Sequence, residues 1–166
     1  TLSLRDFKQP SLQGDSALQQ LYRALGVITT LIDTTLTLTK VSAPQICSFT
    51  ADLNATPDIA QTLAVTCLGL GVGCVLSGLH TLSIKETDRL TALQTELSKF
   101  GAEVTITTES LQFPPCRSLN SGVQVATYND HRMAMAFAPL MLLTPLTILD
   151  KEVVTKSYPT FWQDVA

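Results

Sequence analysis

Two stretches of this chain repeat each other, and that repeat limits the fold more than any other feature. Leu18-Gln19 through Leu36-Thr37-Leu38 overlays Leu93-Gln94 through Leu111-Gln112-Phe113 at a single shift of 75 residues, which also places Gly26 on Gly101. A glycine closing an amphipathic run is the usual C′ stop of a helix, so helix, stop and hairpin recur together. The other half of the unit recurs too. Residues from Asp58 and from Arg132 each lead from a loop into a helix that is apolar on almost every side; a short strand follows, then a lysine before another helix (Lys85, Lys156). The predicted unit is β-α-β-α-β-β within an α/β fold, whole once over residues 46–113. The copy at 1–45 lacks its leading β-α and the copy at 114–166 lacks its closing β-β. Open ends of this kind require other chain to close them.

Local signals fill in the elements. Residues 1–6 alternate as a strand, and a helix begins at Ser16 with Leu18, Leu21, Tyr22 and Leu25 on its apolar face. Residues 27–32 and 36–40 form a hairpin, and 46–50 reads as a strand. Residues 58–70 make a helix without a polar face, as expected of one surrounded by protein. A strand at 74–77, a helix at 88–100, a hairpin of 102–107 with 111–113 and a strand at 122–126 come next. A second apolar helix at 132–143, a strand at 146–149 and a last helix at 158–165 complete the chain. Residues 133–149 are nearly all apolar, but Pro139, Thr144, Pro145 and Thr147 break the run, which fits two buried elements better than a membrane span. The opening Thr-Leu-Ser-Leu-Arg-Asp-Phe carries no initiator methionine, as expected of a chain cut from something longer.

Charge is scarce and clustered. Charged residues are only 15% of the chain, yet Lys85-Glu86-Thr87-Asp88-Arg89 packs four of them into one turn at a loop-to-helix junction. Asn129-Asp130-His131-Arg132 makes a second such junction, and Lys156 marks a third. A helix start leaves backbone N–H groups unpaired, and flanking cations turn it into a site for an anion. Taken singly, Thr87 or Asp88 reads as an N-cap with solvated charges around it. Net charge is −3, so a general nucleic-acid or anionic-membrane surface is not expected, and a bound anion would need cations gathered locally. Cys47, Cys67, Cys74 and Cys116 show no C-x-x-C spacing and read as buried thiols of a reducing, cytoplasmic compartment rather than a zinc site.

Several motifs in order carry a resemblance. Ser11-Leu12-Gln13-Gly14-Asp15, Pro57-Asp58, Ile84-Lys85-Glu86-Thr87-Asp88-Arg89-Leu90, Ala126 through Met135 and Lys156-Ser157-Tyr158-Pro159 together resemble the C-terminal part of the 5-enolpyruvylshikimate-3-phosphate synthase family. The resemblance implies one lobe of an inside-out barrel, helices inside and sheets outside, with the active site facing a second, N-terminal lobe that is the implied partner. It implies transfer of the enolpyruvyl group of phosphoenolpyruvate to the 5-hydroxyl of shikimate 3-phosphate, without metal or cofactor. Asp58 is then expected as the base on that hydroxyl and Glu86 as the acid that protonates the methylene carbon. Lys85 would face the 3-phosphate, Arg89 and Arg132 the carboxylate of phosphoenolpyruvate, and Lys156 its phosphate, with His131 orienting that phosphate. Asp130 is expected to cap its helix and place Arg132, while Arg5, Arg23 and Arg117 match no motif and read as surface. Thr81 departs from the family, which often has asparagine there. The lobe alone is expected to be inactive. The alternatives are the related transferase acting on UDP-N-acetylglucosamine, an RNA-end cyclase with the same unit, and a non-catalytic binding lobe.

Overall fold

A computed structural model describes residues 1–8, 11, 13–82 and 88–165. Among these the strands form three separate sheets. In the first, β1 (Leu2–Leu4) and β2 (Val27–Ile32) flank β3 (Thr35–Lys40), and every pairing is antiparallel. The second takes the order β4-β5-β7-β6, from Ser48–Asp52, Gly73–Ser77, Leu111–Phe113 and Thr105–Ile106. Here β4 runs parallel to β5, while β5–β7 and β7–β6 are antiparallel. The third sheet is the parallel pair β8 (Val123–Val125) and β9 (Leu146–Ile148). Thus β1-β3-β2 copies the pairing of β5-β7-β6, and β8–β9 copies β4–β5.

Parallel neighbours need a crossover, and helices supply it. α2 (Ala60–Leu70) joins β4 to β5, and α4 (His131–Phe137) lies between β8 and β9. Leu63, Ala64, Cys67 and Leu68 of α2 are buried, as are Leu90, Leu93 and Leu97 of α3 (Arg89–Lys99) and Met133, Ala134 and Phe137 of α4. These three helices share one core with the inner faces of β4, β5 and β7. Phe100, just past α3, stacks on Phe137 with ring centroids 5.9 Å apart, which ties the end of α3 to α4. The first part of the chain adds a short α1 (Leu18–Leu21) after a 3₁₀ turn at Gly14–Ala17, and Gly26, at φ 83°, makes the stop read from the repeat.

Several expectations need correction. The helix from Ser16 is far shorter than its apolar stripe suggested. β4 starts at Ser48 rather than residue 46. The second apolar helix turns into 3₁₀ geometry over Ala138–Leu142, where Pro139 lacks the N–H an α-helix would use. Its end is not surrounded by protein, since Leu142 is 89% exposed with Met141 and Leu143 beside it. The last helix is the single turn α5 (Phe161–Asp164), and Lys156, which still precedes it, closes a 3₁₀ helix, Lys151–Lys156, that the sequence did not suggest. Of the four thiols, all free, only Cys67 and Cys74 are buried; Cys47 is exposed and Cys116 half-buried. The neighbouring Cys67 thiol, helped by burial, pushes the Cys74 thiol up.

Candidate functional site

Three backbone starts bring the charged residues together. Pro57 opens a short 3₁₀ turn, Pro57–Ile59, that hangs Asp58 just ahead of α2. Asp88 caps α3, accepting from the Thr91 amide at 3.1 Å and the Thr91 hydroxyl at 2.6 Å, and those bonds hold its carboxyl below the usual range. Asp130 caps α4 by accepting from the Arg132 amide at 2.9 Å, as expected for it. Tyr128 and Asn129, at φ 52° and 57°, form the left-handed bend into that cap. A left-handed bend without glycine costs about 1–3 kcal/mol per residue, so the surroundings must hold it.

Arg89 is the hub. Its Nη1 donates to Oδ1 of Asp58 at 3.0 Å and its Nε stands 2.8 Å from Oδ2 of Asp130, with only 12% of the side chain exposed. Arg132 reaches the other oxygen of Asp58, Nη2 to Oδ2 at 3.4 Å, and remains one-third exposed. Asp58 therefore joins α2, α3 and α4 through its two oxygens. His131 sits beside this cluster, its Nδ1 3.8 Å from Oδ1 of Asp130. Partial burial and the Arg132 charge hold its pKa below the usual histidine value; Asp130 pulls it back up, while Lys156 and Arg89 add to the lowering. Of the charged groups acting on the imidazole, three are cations, Arg132, Lys156 and Arg89, and one is an anion, Asp130.

The cluster opens onto a cleft of about 730 Å³. His131 and Arg132 line one part of it with Ser157 and Tyr158, next to Lys156. Deeper in, the walls are apolar and come from α2 and from the turn after α4, with Tyr22 and Thr66 bonded at 2.6 Å across them. Asp58, Arg89, His131 and Arg132 are therefore brought into one cluster, and Lys156 lies near enough to act on His131. Lys85 and Glu86 lie outside the described residues. Thr81 holds its hydroxyl buried without a hydrogen-bond partner among the described residues. Arg5, Arg23 and Arg117 are exposed. Among the described residues no three His, Cys, Asp or Glu side chains gather as a metal would need. Sequence reasoning missed the bridge from Arg89 to Asp130, and it missed Glu96, fully buried beneath the second junction; a lone glutamate in mid-helix gives no signal of its own.

The family model of EPSP synthase (3-phosphoshikimate 1-carboxyvinyltransferase) matches residues 1–165. The chain is 39% identical over 158 residues to the 3-phosphoshikimate 1-carboxyvinyltransferase of Bacteroides fragilis, a match covering 93% of this chain and 38% of that protein. It is 34% identical to the protein of the same description from Neisseria meningitidis, covering 92% and 35%. Among solved structures, EPSP synthase from Acinetobacter baumannii superposes with a TM-score of 0.79 at 19% identity, over 97% of this chain and 40% of that one. The enolpyruvyl transferase NikO from Streptomyces tendae gives 0.57 at 17% identity, over 88% and 33%. At those identities the structures speak for the fold, an enolpyruvyl-transferase lobe. The chain spans well under half the length of the relatives it matches.

Proposed function

The chain belongs to the EPSP synthase family, and from that premise we propose that it forms one lobe of an enzyme that moves the enolpyruvyl group of phosphoenolpyruvate onto the 5-hydroxyl of shikimate 3-phosphate. The lobe consists of an incomplete unit (1–45), a whole one (46–113) and a second incomplete one (114–166), and the rest of the enzyme closes both the units and the site. The observation that carries this reading is the convergence of Asp58, Arg89, His131 and Arg132, from three separate helix starts, on a positive cluster at the edge of an open cleft.

The chemistry follows from charge and reach. Asp58 accepts the proton of the 5-hydroxyl as its oxygen attacks C2 of phosphoenolpyruvate, and Glu86 protonates the methylene carbon, giving a tetrahedral ketal. Breaking the C2–phosphate bond and returning a methyl proton then yields the enol ether and free phosphate. The two arginines flanking Asp58 stabilise its carboxylate and hold it in place. Arg132, one-third exposed at the cleft and held by one long contact, is suited to fork a substrate carboxylate. Arg89 already uses Nε and Nη1 on Asp130 and Asp58, so it contributes charge and fixes Asp58 more than it reaches outward. Lys156 and His131 would bind the phosphate of phosphoenolpyruvate, and Lys85, by its place in the motif, is assigned to the 3-phosphate. We place the enzyme in the cytoplasm, a compartment that suits its four free thiols.

The test is release of inorganic phosphate with both substrates present. The 166-residue chain alone is expected to give no turnover, because neither the second half of the anion clamp nor closure over the substrates is available. Completing it with the remaining segment of the Bacteroides fragilis relative is expected to restore release. Release with UDP-N-acetylglucosamine but not shikimate 3-phosphate would overturn the assignment.

A further inference from the structure

Glu96 lies in mid-α3 and is completely buried, yet the reaction gives it no part. Its carboxylate accepts from the Tyr128 hydroxyl at 2.8 Å, from the Ala126 amide at 3.1 Å and from Lys99 Nζ at 2.7 and 2.9 Å. Lys99 Nζ also donates to the carbonyl of Gln124 at 2.9 Å. Three alternate residues, Gln124 in β8 and Ala126 and Tyr128 on the way to α4, are thus gripped from one helix, leading into the left-handed pair Tyr128-Asn129 and the cap Asp130. A buried carboxylate is costly unless every oxygen is bonded, and here the bonds all go to this one segment or to the lysine that shares it. Burial and the adjacent Glu96 carboxylate push the Tyr128 hydroxyl up to about 12, so it remains a donor at any working pH.

We propose that Glu96 is a positioning residue: through Tyr128 and Ala126 it fixes the bend that aims His131 and Arg132 at the bound anion. α3 then acts as a two-point clamp, with Arg89 at its start pairing Asp130 and Glu96 two turns on holding the approach to the same cap. This role rests on reading the cluster as the phosphoenolpyruvate site. Packing alone would not place a carboxylate and three donors under this segment when an apolar side chain fills such a space at less cost.

The test compares the chain with its Glu96→Gln variant by NMR titration of the His131 imidazole and by thermal melting, and compares the two, each completed with the remaining segment of the Bacteroides fragilis relative, by phosphoenolpyruvate titration. The charged groups facing His131 are Arg89, Asp130, Arg132 and Lys156. Deleting a negative charge acts through the field to lower the His131 pKa further, whereas releasing the bend exposes the ring and moves the cations off, which raises it. A rise toward the ordinary histidine value, with phosphoenolpyruvate binding about tenfold weaker, is the expected result. Tyr128→Phe removes one bond without stranding a buried charge; it is expected to move both readouts the same way by less, and it decides the matter if Glu96→Gln does not fold. A lower melting temperature with the His131 titration and the binding unchanged overturns the positioning role. If the completed, unsubstituted enzyme binds no phosphoenolpyruvate while His131 still shifts upward in the variant, the substrate reading fails and the positioning stands.

Discussion

Arg132 and His131 are the side chains at which structure and binding separate. The contact from Arg132 to Asp58 is long and partly solvated, worth about 0.5 kcal/mol to the fold. A charge-assisted fork on a substrate carboxylate is worth about 1.5–3 kcal/mol, or roughly ten- to a hundredfold in affinity. Arg132→Ala is therefore expected to weaken phosphoenolpyruvate binding at least tenfold in the completed enzyme while the melting temperature barely moves. Equal binding with a large loss of stability would show the arginine to be a strut. His131 has a depressed folded-state pKa, so the unfolded chain takes up its proton first as pH falls. Its contribution to stability is fully present above the unfolded value of about 6.5 and is lost as pH drops through the lower folded value. Melting temperatures across that window should decline less steeply in His131→Asn. An anion that neutralises Arg132 and Lys156 should raise the His131 pKa, which NMR with added phosphoenolpyruvate would register.

At the scale of elements, the turn after β5 sets where Asp58 sits. Gly78 follows β5 at φ 74°, and a Cβ there would meet the backbone nitrogen of Asn54 and the Asp52 carboxylate at the end of β4. The Leu53 amide bonds the Ser77 carbonyl at 2.9 Å across the same gap. Only glycine fits both the dihedral and the space. Gly78→Ala is expected to cost about 2–3 kcal/mol in urea unfolding, because backbone rather than a flexible side chain must give way. It should also disturb Asp58, four residues beyond Asn54. Hairpins and caps were legible from turn residues and from Asp88 or Asp130 ahead of apolar runs. The short α1, the 3₁₀ turn over Ala138–Leu142 and the single-turn α5 were not, since periodicity marks which residues are apolar and does not fix where the last backbone bond forms.

For the whole molecule, the repeat and the cleft meet. The stripe of α2 that lines the cleft (Thr62, Val65, Thr66, Gly69, Leu70) and the exposed Met141, Leu142 and Leu143 leave an uncovered face. On the proposed reading of one lobe within a longer enzyme, a helix from elsewhere in that enzyme is the expected occupant, since relatives of this chain are more than twice as long. Alone, the chain should bind an apolar fluorescent dye and self-associate; adding the preceding segment of a relative should suppress both. A dye-silent monomer would mean the chain closes itself. The order of residues by itself determined the repeating unit, the helices that bury their surfaces and the identity of the charged side chains, because hydrophobic period, glycine stops and motif spacing are local properties. Which charges touch was decided only in three dimensions. Asp58, Arg89 and Asp130 are far apart along the chain, and only the packing of α2, α3 and α4 in one core brings their heads within 3 Å and leaves Arg132 facing the cleft.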